Sequence, residues 1–193
     1  MINKTLLFIS SLLIGSAQDA VPMKAIKGIP FTAKAVTEIA QTLENGNHIA
    51  RSTSAQIARD SEGRTRREQN GVVYLQDPVL GLAYVIDTQS KSFKSYPIRL
   101  AETSDNRNEV VALGNQFVGG FLAEGSRLKK IIPADKAGNK RPLEVVSETW
   151  FSQQLQTVIE HRTIDPRVGT AEYKLIEIEL GDPAPELFVV PKN

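Results

Sequence analysis

The densest concentration of reactive side chains in the chain is Arg59-Asp60-Ser61-Glu62-Gly63-Arg64-Thr65-Arg66-Arg67. Residues two apart on a strand share a face, so Arg64 and Arg66 together could grip a phosphate or a carboxylate. Arg59, Arg64 and Arg66 are therefore the candidates for binding an anion or a charged partner. The same charges also suit a solvated hairpin whose side chains keep a sheet from aggregating.

Other chemistry is thinly represented. His48 and His161 are the two histidines and cysteine is absent. Glu160 adjoins His161 and Asp165 follows four residues on, but the two histidines are far apart with no ligand spacing. Each is expected on a surface or an edge strand, and neither a metal nor a cofactor is expected. A nucleophile elbow needs Gly-x-Ser-x-Gly, and Gly125-Ser126-Arg127 lacks the second glycine. Glu144 with Glu148, and Glu177 with Glu179, could act as paired carboxylates in glycoside hydrolysis. Their strand spacing reads instead as an ordinary wet sheet face. Val118-Gly119-Gly120-Phe121 reads as a bulge or bend inside a strand, not as a phosphate loop. No catalytic residue is assigned, and hydrolysis stands only as a third reading. Trp150, followed by Phe151, could wall a ligand cavity or anchor a core. Tyr84, Tyr173 and Phe188 carry the same two readings.

The elements that would position these groups are strands. Turn signals recur at the 8–12-residue spacing of an all-β domain. Asn45-Gly46 can supply the left-handed residues of a tight hairpin. Asp60 to Gly63, Asp77-Pro78 to Gly81, Asp87 to Lys91 and Asp165-Pro166 to Gly169 are turns led by aspartate. Strands are expected near 35–43, 47–59, 64–69, 72–76, 82–87, 91–96, 116–132, 143–151, 154–164 and 171–180. Residues 99–115 read as a short helix or mobile loop, and 133–142 as a long exposed loop. Within 154–164, Leu155, Thr157 and Ile159 alternate with Gln156, Glu160 and Arg162, while Val158 is off pattern. In 174–180, Ile176, Ile178 and Leu180 fall on one face. Leu187 to Pro191 reads as a last apolar segment against the sheet edge. The expected fold is mainly all-β: one curved antiparallel sheet, half-barrel-like, with sparse helix.

Residues 1–17 have the layout of a secretory signal peptide. Lys4 provides the charge, Leu6–Ile14 the apolar core, and Gly15-Ser16-Ala17 the small residues before a cut. The apolar run is too short to span a membrane, which takes about 20 residues. Residues 18–30 are then a flexible lead-in and 31–193 a single antiparallel β domain, periplasmic or extracellular. With Lys4 gone, acidic and basic residues balance. That argues against nucleic acid as a partner and gives no attraction to an anionic membrane. The absence of cysteine excludes a lipid anchor of the lipoprotein type.

Arg59 to Glu68, Asp77-Pro78, Ala123 to Arg127, Glu148 to Ser152, Asp165-Pro166-Arg167 and Leu187 to Pro191 resemble stretches of a group of uncharacterised exported bacterial proteins of acidobacterial type. More distantly, the order of hairpins is similar to the half-barrel of the outer-membrane lipoprotein carrier and the periplasmic regulators that share its fold. That resemblance implies a concave apolar face that holds acyl chains or senses a lipoprotein. The leading expectation is an exported, non-enzymatic protein that binds a lipid or other apolar small molecule, with Tyr84, Ile86, Trp150, Ile176 and Ile178 as cavity wall. The alternative is a cell-envelope interaction module that docks an envelope protein through an edge strand or the Arg-rich hairpin.

Overall fold

The computed structural model describes residues 28–43, 45–98, 109–136 and 138–191. Residues 1–27, which include the signal layout and most of the lead-in, lie outside the described residues, as do 99–108. The strands are β1 (Phe31–Thr42), β2 (His48–Arg59), β3 (Thr65–Gln69), β4 (Val72–Asp77), β5 (Leu82–Asp87), β6 (Ser92–Pro97), β7 (Glu109–Val118), β8 (Phe121–Ile132), β9 (Leu143–Ser152), β10 (Thr157–Asp165) and β11 (Gly169–Leu180). A single 3-10 turn, Pro185–Phe188, follows. All eleven strands form one sheet in the order β6-β5-β4-β3-β2-β1-β11-β10-β9-β8-β7. Every described pairing is antiparallel. The sheet is open and curved, a half-barrel, as its sequence leads one to expect.

Aspartate sets the turns. Asp60 Oδ1 accepts from the backbone of Glu62 and Arg64 at 3.1 and 2.8 Å. Asp77 Oδ1 accepts from Val79 and Leu80 at 2.9 Å each, and Asp87 Oδ1 from Gln89 and Ser90 at 2.9 and 2.8 Å. Asp165 Oδ1 accepts from the Arg167 backbone at 2.9 Å. In each turn the carboxylate takes up amides that the sheet leaves unpaired.

Two expectations need correction. Residues 109–115 are strand, part of β7, rather than helix or loop. And 116–132 is not one bent strand. Gly119 and Gly120 have φ of 58° and 86°, the pair of positive values that a two-residue hairpin turn demands, and the chain reverses between Val118 and Phe121. β7 escapes the alternation pattern because its register shifts between Ala112 and Gly114, where Gly114 has φ 84°.

Two apolar clusters form the core, and their members on β2 point to opposite faces. Phe31, Ala33, Ala35, Ala55, Leu155, Ile159, Leu175 and Ala123 form the first, with Ile57, Trp150, Tyr173 and Ile178 packed against it. Ala58, Val73, Leu75, Ile86 and Phe188 form the second, with Tyr84, Phe93 and Leu187 alongside. β2 pairs with β1 without a register break, so Ala55 and Ala58, three apart, point to opposite sides. The face bearing Ala55 is called inner here and the other outer. Three alanines at adjacent inner positions of β1 and β2 leave room for the sheet to close towards that side. The C-terminal segment covers the second cluster on the outer face. It lies across the sheet rather than along its edge.

Candidate functional site

Register places a band of polar and aromatic side chains on the inner face. On β9 and β10 these are Ser147, Thr149, His161 and Thr163, on β11 Tyr173, and on β1 Thr37, because His161 faces Tyr173 and Tyr173 faces Thr37. Across β2, Ile57 faces Arg67 of β3, and Arg67 faces Tyr74 of β4. In a flat sheet β3 and β11, three strands apart, would be separated by roughly 14 Å. Yet the Arg67 charge acts on the Tyr173 phenol.

The two sides of this band differ in chemistry. His161 is held between two threonines, Nδ1 at 2.9 Å from Thr149 Oγ1 and Nε2 at 3.0 Å from Thr163 Oγ1. Ser147 Oγ lies 3.3 Å from Thr163 Oγ1, which extends the chain of hydroxyls. Burial disfavours the imidazolium and pushes the His161 pKa down. Burial pushes the Tyr173 phenol up to about 12, with Arg67 opposing, so Tyr173 stays a hydrogen-bond donor at any physiological pH. Among the described residues the Tyr173 hydroxyl has no hydrogen-bond partner. Arg67 donates to Gln69 Oε1 at 2.6 Å and faces no carboxylate among the described residues. Desolvation pulls its pKa down.

The arginines singled out from sequence are placed differently from one another. Arg59 is buried on the inner face, its guanidinium 4.8 Å from the Phe31 ring centroid. It donates to the carbonyls of Ile29 at 2.7 Å, of Gln156 at 3.5 Å, and of Leu155. Among the described residues its Nε has no partner, and burial lowers its pKa. Arg59 ties the lead-in and the β9–β10 turn to β2. Arg64 is paired with Asp60 Oδ2 at 2.5 Å and Glu62 at 3.4 Å, and lies 5.1 Å from the Phe188 ring centroid. Arg66 is paired with Glu68 at 2.7 Å. Arg64 and Arg66 thus already have acidic partners, and Arg66 faces the side opposite Arg59.

The proposed wall residues are also separated. Tyr84 and Ile86 belong to the outer cluster, with Tyr84 edge-on to Phe93 at 6.0 Å and the C-terminal segment over both. Trp150 and Ile178 pack against the first cluster. Ile176 is 38% exposed on the outer face. The expected alternation through Ile176, Ile178 and Leu180 fails because β11 shifts register opposite Thr32 and Lys34, and Glu177 takes φ 53°. A bulge there turns Ile178 inward with Leu175 and leaves Ile176 outside. A second bulge, between Val158 and Glu160, accounts for Val158 and Ile159 both being buried.

Of the carboxylates that might have formed a glycosidase pair, Glu144 and Glu148 are ion-paired on the outer face. Glu148 accepts from Arg127 at 2.7 Å and Glu144 from Lys129 at 3.3 Å. His48 lies on an exposed hairpin, with Nδ1 3.0 Å from Thr42 Oγ1. No group of three or more metal-ligating side chains occurs among the described residues. Two surface hollows are polar. One is lined by Asp60, Glu62, Arg64 and Asp182 with Pro183 and Pro185, the other by Asn70, Val72, Asp87 and Gln89. Sequence reasoning passed over Arg67, Thr149 and Thr163. The signal for Arg67 was present: it alternates out of phase with Arg66, so one of the two had to face inward.

No protein-family model and no curated protein matches the chain, so nothing here supports the likeness to an acidobacterial-type group. Solved structures do share its fold. A chain in the complex of Pseudomonas aeruginosa MucA and MucB aligns with a TM-score of 0.53 at 14% identity, over 84% of this chain and 56% of that one. This chain thus spans about half the length of that neighbour. An uncharacterised conserved protein from Thermus thermophilus aligns with a TM-score of 0.52 at 10% identity, over 86% of this chain and 88% of that one. A LolA superfamily protein from Nitrosomonas europaea gives 0.38 at 9% identity, over 84% and 90%. No helix among the described residues is long and apolar enough to cross a membrane. For the first two of these structures, at these identities, the likeness is one of fold.

Proposed function

We propose that this is an exported binding protein whose cupped inner face holds an apolar or amphiphilic ligand and performs no reaction on it. One observation carries the reading. The inner face is filled over Ala33, Ala35, Ala55 and Leu175, which are buried, and opens beyond Ile57 towards β3 to β5. Tyr74 is 49% exposed there, on the third strand in from the β6 edge of the sheet. Among the described residues, no second layer lies over β3 to β5 on this side. Contact with a ligand would be driven by burial at about 25 cal/mol per Å2 of apolar surface. The hydroxyls of Thr149, Thr163 and Tyr173 would set its orientation. Export rests on the layout of residues 1–17.

The test is native mass spectrometry of protein purified from its own envelope without detergent, combined with lipid extraction. A stoichiometric apolar mass supports the reading. A clean apo protein that also fails to take up a fluorescent apolar probe removes it.

A second reading has its own observation. β7 is an edge strand, and Val110, Val111 and Phe117 on it are 49%, 43% and 76% exposed. An unpaired, apolar edge is a template for strand addition by a partner segment. The protein in the MucA/MucB complex that shares this fold gives that reading a precedent of architecture. Capture of a partner that is lost on placing a proline in β7, with inner-face variants unaffected, would favour it over ligand binding.

A further inference from the structure

The sheet ends in two edges, β6 and β7, and they are built differently. β6 is six residues long and carries Lys94 and Pro97, both of which discourage another strand from pairing there. β7 is ten residues long, and its residues 110–118 include neither a charge nor a proline. Among the described residues no strand pairs with its outer side. Phe117 is 76% exposed, and Leu122, opposite it on β8, is 49% exposed.

The register of β7 is symmetric about Gly114. Val110, Ala112, Gly114, Asn115 and Phe117 stand opposite Leu128, Ser126, Gly125, Glu124 and Leu122 of β8, and Leu113 is the extra residue of the bulge. Val110 and Phe117 therefore lie three rungs to either side of Gly114 and share one face, since their partners Leu128 and Leu122 are an even number of residues apart. Without the bulge these two residues would face opposite ways. Elsewhere a bulge serves to blunt an edge; this one aligns two apolar side chains. An antiparallel copy of β7, placed with Gly114 on the twofold axis, sets Val110 against the second copy's Phe117, and Phe117 against the second copy's Val110. Ala112 meets Asn115, Val111 meets Gln116, and the two Gly114 residues meet at the axis with no side chain between them. Glu109, the one charged residue of β7, stands at opposite ends of such a ladder, so no like charges are brought opposite each other.

We propose that β7 pairs with β7 of a second copy of this chain, antiparallel about Gly114, so that two sheets join edge to edge in a twofold dimer. A twofold contact uses the same patch on both chains and so requires a self-complementary strand. The rung symmetry of β7 supplies that, whereas a segment of an unrelated protein would not demand it. The inference is independent of any ligand on the cupped face.

The experiment is light scattering and sedimentation of the purified protein over a concentration series, in which the mass should rise from that of one chain to that of two. Val110→Lys and Phe117→Lys should each weaken self-association by at least about tenfold. Both positions are exposed, so circular dichroism and thermal melting should match the wild type. The register has its own test, because the chain contains no cysteine and Val110→Cys and Phe117→Cys each introduce a single thiol. Under mild oxidation a mixture of these two variants should form a disulfide-linked dimer at least about fivefold faster than either variant alone, since only position 110 of one copy and 117 of the other come within bridging distance. Either variant alone holds its two thiols six rungs, roughly 20 Å, apart. The wild-type series and the cross-linking do not depend on the lysine variants. A monomer at every concentration overturns the proposal and leaves the edge to a segment of another protein. A dimer unaffected by either lysine overturns it too. Cross-linking of the mixture no faster than that of each variant alone overturns the register and with it the twofold pairing. None of these outcomes touches the ligand reading, which has its own probe.

Discussion

The indole of Trp150 lies directly against the backbone of Gly125, its partner on β8. A methyl group at Gly125 would stand 2.5 Å from Cη2 and 2.7 Å from Cε3 of the ring. Both are well inside contact distance, and a packed indole has little room to withdraw. Gly125 is not in the left-handed region, so the glycine is required by the ring and not by the turn of the chain. Gly125→Ala should therefore destabilise the protein by about 1–3 kcal/mol. In a Trp150→Ala background the same change should be nearly neutral, and a double-mutant cycle in urea measures the difference.

Ile176 and Ile178 are two residues apart and behave oppositely because of the bulge at Glu177. Ile176→Glu should change stability by less than about 0.5 kcal/mol, as a substitution on the outer surface. Ile178→Glu places a charge against the first apolar cluster and should lower stability by several kcal/mol, about 2–4. Equal effects in thermal melts would contradict the register of β11.

Arg59 donates to the backbone carbonyls of Ile29, Leu155 and Gln156, which are remote from it in sequence. Arg59→Met keeps much of the side-chain length over Phe31 and removes all of those hydrogen bonds. A loss of about 2–4 kcal/mol is expected in denaturant titrations, with no effect specific to ligand affinity.

Asp165 carries an acid-dependent share of the stability. Hydrogen bonding from the Arg167 side chain holds its carboxyl below the usual carboxylate range, with the Arg167 backbone adding to it against opposing desolvation. A folded pKa below the unfolded one gives stability that is present above the unfolded value, about 3.9, and lost as pH falls through the folded one. Asp165→Asn should be less stable at neutral pH. It should also lose less on acidification from about pH 6 to pH 3 than the wild type, as read from melting temperature.

The His161 imidazole should titrate below about 6.5, the ordinary value for histidine, in an NMR pH series. Its folded pKa is depressed, so the unfolded chain binds the extra proton first. The associated stability is complete above the ordinary value and declines as pH drops towards the folded one. Replacing both Thr149 and Thr163 by valine should broaden or shift its resonances by removing both of its hydroxyl partners.

Much of this architecture could be read from residues. Aspartate and glycine announced most of the hairpin turns, because a carboxylate two or three residues before unpaired amides and a glycine at positive φ are local requirements. What failed to show was whatever breaks period two. Gly114, Val158 and Glu177 each sit at a register shift, and each hid a strand or moved a side chain to the other face. β7 was hidden further by Asn115 and Gln116, which a solvated edge tolerates. Burial of Arg59 was hidden because the carbonyls that accept from it are remote in sequence. Arg67 went unread for the opposite reason: its neighbours dominate the motif, and only the fold separates the paired cations from the solitary one.

The strand order has a kinetic meaning. β1 to β6 form one meander and β7 to β11 another, and every pairing inside them joins consecutive strands. The seam that joins them is the ladder of β1 with β11, with Gly181 donating to Pro30 at 3.0 Å at its end, and Arg59 and the C-terminal segment also cross between them. Local hairpins should form quickly, whereas the seam joins segments far apart in the chain and should close last. Parting the seam would break one ladder together with the Arg59 bonds and the first apolar cluster, while the hairpins of each wing keep their own ladders. A polypeptide split between β6 and β7 would then reassemble along that line, and its association rate would report the closing of the seam in isolation.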